Sequence, residues 1–154
     1  MRWWIFVIAF GLVFYGNGAG FIESFVNYPS WYLVGADEFF EYHQFITPRV
    51  IALLVLPAFI GTLFTFLMLW WRPAAVPVWA VWIALAMQIV VWVSTALIQI
   101  PIQQQLGANG VSAELLERLI TTNFWLRRIP YAICALLFFM DGCASCSRSG
   151  AKTI

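Results

Sequence analysis

The chain reads as an all-α protein: a polytopic membrane four-helix bundle with a short interfacial helix in its first outer loop. Three observations predict it. Four long apolar stretches, divided by short polar segments, take up most of the 154 residues. The composition is 63% hydrophobic and only 10% charged, with mean hydropathy +0.86, far from soluble averages. The stretches are apolar nearly all round, where a soluble helix would alternate faces. A net charge of +1 gives no footprint for nucleic acid. Nine Trp, 14 Phe and five Tyr suit lipid-facing surface and interfacial belts.

The first span is expected from Trp3 to Ile22, the second from Val50 to Trp71, the third from Val76 to Gln99 and the fourth from Phe124 to Met140. About 20 helical residues at 1.5 Å each cross a hydrocarbon core of about 30 Å. The first three meet that; the fourth is short and begins with Arg127 and Arg128. Arg2, an apolar run and the small residues from Gly16 to Gly20 also have the outline of a signal peptide, but with Met1 present a retained first span is expected. Gly16 and Gly20 form a small-xxx-small pair, as do Ala58 with Thr62 and Gly61 with Thr65, so close helix approach is expected there. Between the third and fourth spans, Gly107 and Gly110 act as breakers, and Ser112 is an N-cap for an amphipathic helix from Ala113 to Thr122.

Residues 1–140 form one transmembrane domain on this reading, with no internal repeat, and 141–154 a flexible cytosolic tail. With the N-terminus inside, Arg2, Arg72, Arg148 and Lys152 are inner, and Arg49, Arg118, Arg127 and Arg128 outer. Assigning Arg127 and Arg128 to the fourth helix instead of its loop tips the bias toward both termini in the cytoplasm, in a cell (inner) membrane.

The first outer loop carries the short helix, Asp37 to Ile46, bracketed by Gly35 and Pro48. Asp37, Glu41 and Gln44 share one face; His43, the lone histidine, lies on another arc with Phe39, Phe40 and Ile46 and turns toward the bundle. On the third span Gln88, Trp92, Thr95 and Gln99 make one stripe, continued by Gln103 if Pro101 only kinks the helix. Asn123, Trp125, Arg127 and Arg128 open the fourth span at the same end. A mid-membrane arginine costs about 2.5–3.5 kcal/mol on insertion scales. Headgroup anchoring accounts for one of the two; the other, about 100° round the helix, can turn inward. Two readings stay open for this group: interhelical hydrogen-bonding glue, or a polar pocket at the outer membrane face. One histidine with no inward carboxylate falls short of a metal-ligand set. Cys143 and Cys146 form a single CxxC, too little for structural zinc, and Cys134 lies in the fourth span.

Four short stretches carry a family likeness: Tyr28-Pro29-Ser30-Trp31, Glu41-Tyr42-His43-Gln44-Phe45, Trp92-Val93-Ser94-Thr95 leading to Gln99-Ile100-Pro101, and Thr122-Asn123-Phe124-Trp125 with an arginine close behind. Over roughly residues 28 to 140 the chain resembles the anthrone-oxygenase-like family of small four-helix membrane proteins. The resemblance implies oxidation of phenolic anthrones by dioxygen without metal, flavin or other cofactor. It further implies His43 as the base, with Arg127 and Asn123 holding the substrate anion and Gln99, Gln103, Trp92, Arg128 and Trp125 binding around it. The family pattern often has a histidine where this chain has Gln103, a departure that weakens a two-histidine base. Expected partners are the bilayer and a lipophilic small molecule, with a homo-oligomer or larger membrane complex. The competing function is a non-catalytic accessory subunit packing lipid, quinone or pigment.

Overall fold

A computed structural model describes residues 2–150, with side chains over 2–143. Among the described residues it is all-helical. Four long helices follow one another: α1 (Arg2–Leu33), α2 (Phe39–Trp71), α3 (Val78–Asn109) and α4 (residues 113–150). The first three are long and apolar enough to cross a membrane. Short connections force an up-down-up-down order, and each helix packs on its neighbours in the ring α1–α2–α3–α4–α1.

The Asp37–Ile46 segment differs from expectation. From Phe39 it is the opening of α2 and runs without a break through Pro48. The carbonyl that Pro48 deprives of its donor belongs to Gln44, which is exposed and open to other partners, so the helix need not stop. Likewise Gly107 stays inside α3, and only Gly110, at φ 84°, ends it. The helix expected from Ala113 to Thr122 is the first part of α4, which continues past Met140 to Gly150.

One device recurs in every helix. Each contains a single five-residue π turn (Glu23–Asn27, Ile51–Val55, Thr95–Gln99, Phe124–Arg128), and each turn is followed two residues later by proline: Pro29, Pro57, Pro101 and Pro130. Proline has no N–H to give, and its ring clashes with the carbonyl four residues back. Those carbonyls belong to Phe25, Leu53, Leu97 and Leu126, the central residue of each π turn. Widening the turn moves the carbonyl off the ring and lets the helix continue. Two of the freed carbonyls find donors from other helices: Tyr15 Oη donates to Leu53 O at 2.8 Å, and Ser94 Oγ to Leu126 O at 3.3 Å.

Along the bundle axis the interior has three layers. At the end holding both Trp3 and Trp71 lies a dry core that includes Phe6, Ala9, Met68, Leu85, Cys134 and Phe138. At the opposite end all four helices supply a second apolar cluster, with Trp31, Phe39, Leu106 and Leu119 at its centre. Between them sit most of the buried polar side chains: Ser24, Thr65, Gln88, Ser94, Gln99, Asn123 and Arg128. The proline-dictated π turns put irregular backbone at this middle level, since Ser24 and Gln99 belong to two of the turns and Asn123 directly precedes a third.

Candidate functional site

The middle layer is built by pairwise hydrogen bonds from each helix to the next. Gln88 Nε2 donates to Thr65 Oγ1 at 3.1 Å, and one turn further Trp92 Nε1 donates to Thr62 Oγ1 at 3.0 Å, tying α3 to α2. Gln99 Nε2 donates to Thr122 Oγ1 at 2.9 Å, and Asn123 Nδ2 to Ser24 Oγ at 2.5 Å, tying α4 to α3 and α1. The expected stripe of α3 faces inward at its two amides, Gln88 and Gln99 being 1% and 2% exposed. These bonds are the glue foreseen for such residues. They leave acceptors over: Gln88 Oε1, Gln99 Oε1 and Asn123 Oδ1 are buried without partners.

His43 lies at the far edge of this layer, against the outer apolar cluster. Its ring stacks on Phe39 and meets Trp31 edge-on. Nε2 sits 2.9 Å from Gln103 Oε1, an acceptor only, so Nε2 carries the proton. Gln103 Nε2 then donates to Tyr28 Oη at 3.4 Å. The other imidazole nitrogen faces Gly107, where a Cβ would lie 2.9 Å from Nδ1. Gly107 is thus the close-approach residue that lets α3 pass over the imidazole.

Arg127 and Arg128 line a cleft in the same layer. Arg128 is 3% exposed, and its Nε and Nη1 have no hydrogen-bond partner; neither has Nε of Arg127. A buried guanidinium with two unbonded nitrogens is costly, and the Tyr131 ring, with its centroid 5.7 Å from Arg128 Cζ, offsets part of that cost. The guanidinium's place is made by Gly20: a Cβ there would land on Arg128 Nη1. Gly16 does the same more loosely for Tyr131, whose Cε1 would lie 3.3 Å from a Cβ. The glycine pair expected to bring backbones together therefore receives two α4 side chains instead. Gly61 behaves as expected: a Cβ on it would sit 3.1 Å from Leu12 Cβ of α1. Arg127 interacts with the Tyr28 hydroxyl, and the Glu23 carboxylate, hydrogen-bonded by Asn27 Nδ2 at 2.9 Å, acts on both arginines through space.

The opposite wall is apolar. Leu54, Val55 and Ala58 of α2 line it, and they hold the same positions relative to Pro57 as Arg127, Arg128 and Tyr131 hold relative to Pro130. Equivalent backbone devices thus present grease on one side and two cations on the other. Trp92 and Thr95 of α3 complete the cleft, whose cavity volume is about 20 Å³, room for one or two waters.

The structure therefore gathers Arg127, Arg128 and Trp92 in one cleft and sets His43 and Gln103 beside it, connected through Tyr28. Gln99 and Asn123 lie in the layer without lining the cleft, and Trp125 points outward at 61% exposure. Cys134 is fully buried, with Sγ 3.4 Å from Ala84 O; Cys143 is exposed, and the Cys146 side chain falls outside the described residues. Sequence reasoning missed Gly20, Tyr28 and Tyr131 as parts of the site. The only signal for Gly20 was its small size, read there as helix packing.

No family model, curated protein or solved structure matches the chain. The likeness to the anthrone-oxygenase-like family rests on its four short stretches alone.

Proposed function

We propose that the chain is a four-span integral membrane protein, with both termini cytoplasmic, that oxidises a lipophilic aromatic substrate carrying an ionisable oxygen. The observation that carries this reading is Arg128: a guanidinium buried between helices, with two idle nitrogens, in a cleft floored by Trp92 and Tyr131.

The membrane placement draws on the surface. Trp3, Trp4, Trp70, Trp71, Trp79 and Trp82 are all exposed at one end of the bundle, a belt at headgroup depth, with Arg2 and Arg72 just beyond it. A helix the length of α1 spans about 48 Å, well over the hydrocarbon thickness of about 30 Å. Counted from the Trp belt at 1.5 Å per residue, Thr65 and Gln88 lie about 10 Å in, the arginine cleft beside Trp92 lies near mid-membrane, Ser24 and Gln99 lie toward the outer boundary, and the apolar cluster around Trp31 stands outside as a cap.

In the proposed reaction Arg127 and Arg128 hold the substrate's oxygen as an anion, which makes the ring electron-rich. For an anthrone the ring CH2 loses a proton, and its electrons pass to dioxygen. The CH2 becomes C=O with one oxygen atom of O2, and the other leaves with both hydrogens as water. His43, expected as the base, bonds Gln103 and does not line the cleft, so it acts at a distance through Gln103 and Tyr28, and the proton from the CH2 passes to water in the cleft. Dioxygen uptake with anthrone in proteoliposomes tests the reading. Uptake absent from empty liposomes and lost in Arg128→Gln is expected; uptake equal in that variant would refute it.

A second reading, an accessory subunit of a larger membrane complex, draws on the outward ridge of α2, where Phe59, Phe66 and Trp70 are about half exposed. Stable isolation of the chain without a fixed-ratio partner would exclude it.

A further inference from the structure

A second cavity opens at the Trp-belt end, where the connection from α2 to α3 meets the end of α4. The connection, residues 72–77, is held rigid. Val76 is buried, and its N–H donates to Pro73 O at 3.1 Å. Arg72 Nε donates to Val76 O at 3.1 Å and Nη1 to Leu69 O at 3.2 Å, which also caps α2. Pro73 and Pro77 fix two further backbone angles. Between the prolines, Ala74 and Ala75 have side chains too small to fill the angle against α4, and a cavity of about 290 Å³ remains. Small-molecule sites begin at about 300 Å³. Pro77, Trp79, Leu137 and Met140 make its walls largely apolar, and one charged group lines it, Asp141.

Asp141 is out of keeping with its level. Glu23, Asp37, Glu38, Glu41, Glu114 and Glu117 all stand toward the opposite end, so Asp141 is the one acidic residue beside the Trp belt. Burial raises its carboxyl to about 6, and a cation placed against it would favour the charged form again. One turn deeper, Trp82 and Ile83 of α3 and Ile133 and Leu136 of α4 are exposed, so apolar surface leads from the cavity into the membrane. We propose that this cavity holds the headgroup of an inner-leaflet lipid bearing a primary ammonium, with the ammonium between Asp141 and the Trp79 indole and the acyl chains along α3 and α4. The inference rests on the membrane placement above and does not need the oxidation. A carboxylate has about four acceptor sites, so Asp141 serves the ammonium beside other donors. The Trp79 ring adds a cation–π contact. A quaternary ammonium keeps that contact but has no N–H to donate, and a phosphoglycerol headgroup brings Asp141 only negative charge. The site therefore ranks a primary ammonium above both.

The test is native mass spectrometry of the full chain released from nanodiscs made of equal parts phosphatidylethanolamine, phosphatidylcholine and phosphatidylglycerol with the same acyl chains. Retention of the ethanolamine lipid should exceed that of the choline lipid about tenfold, the worth of one charge-assisted hydrogen bond. Asp141→Asn should bring the two level, and so should Ala75→Leu, which fills the cavity from the connection and leaves the carboxylate in place. Equal retention by the wild-type chain overturns the proposal. So does a preference for the glycerol lipid, which would give the arginines the leading part, or a preference that survives both substitutions, which would put the lipid elsewhere. Free ethanolamine should leave the retained lipid in place; displacement would make the site one for a water-borne amine and overturn the lipid assignment. Failure of the chain to enter nanodiscs would remove the membrane placement and this inference with it, whereas entry without selective retention removes this inference alone.

Discussion

Gly20→Ala gives the sharpest internal check on the buried arginine. The new Cβ falls on Arg128 Nη1, so the guanidinium must leave its seat and push into a cavity of about 20 Å³. Overpacking of this kind costs about 1–3 kcal/mol. Against it stands the gain of about 0.5–1 kcal/mol from replacing glycine by alanine inside a helix. The net expectation is a loss of roughly 0–2.5 kcal/mol. With Arg128→Ala already in place the obstacle is gone, and the same substitution should be neutral or stabilising by about 0.5–1 kcal/mol. The sign of the Gly20→Ala effect thus reverses with background, a coupling of about 1–3 kcal/mol. Reversible unfolding in mixed micelles, followed by far-UV circular dichroism across the four-member cycle, measures it. An equal effect of Gly20→Ala in both backgrounds would refute the seating of Arg128 against α1.

Further expectations follow from the polar layer. Tyr15→Phe should cost about 1 kcal/mol by orphaning the Leu53 carbonyl, and much less when Pro57→Ala restores a backbone donor; the same unfolding assay reads it. Thr65→Val should cost about 0.5–1.5 kcal/mol by stranding Gln88 Nε2, while adding Gln88→Leu should recover most of the loss. The lone histidine allows an unambiguous nitrogen NMR spectrum: the Nε2–H tautomer is expected, and Gln103→Leu should remove that fixed tautomer. Gly107→Ala should displace the imidazole and perturb the same resonances, whereas unchanged shifts would contradict the packing of Nδ1 against α3.

The long helices and their order were legible because hydropathy reports burial in lipid or protein alike, and four apolar runs leave few arrangements. The inward face of α3 was legible too, since amides at helical spacing amid apolar residues have only one comfortable direction. Helix ends were less so. Pro48 and Gly107 looked like breaks, yet Pro48 frees only the carbonyl of exposed Gln44, and Gly107 is there for the His43 ring. The π turns went unread although their prolines were in view. Each proline alone suggests a kink; that all four sit two residues past a widened turn is a property of the backbone. The choice between the two arginines depended on Gly20, a residue more than a hundred positions away in sequence and pressed against Arg128 only in the fold.

Native mass spectrometry of the protein, extracted gently from its own membrane, tests the central claim most directly. The account predicts a chain or homo-oligomer carrying one lipophilic molecule with an acidic oxygen, lost on Arg128→Gln. A bare chain, or one held in fixed ratio to larger subunits with no such molecule, would contradict it.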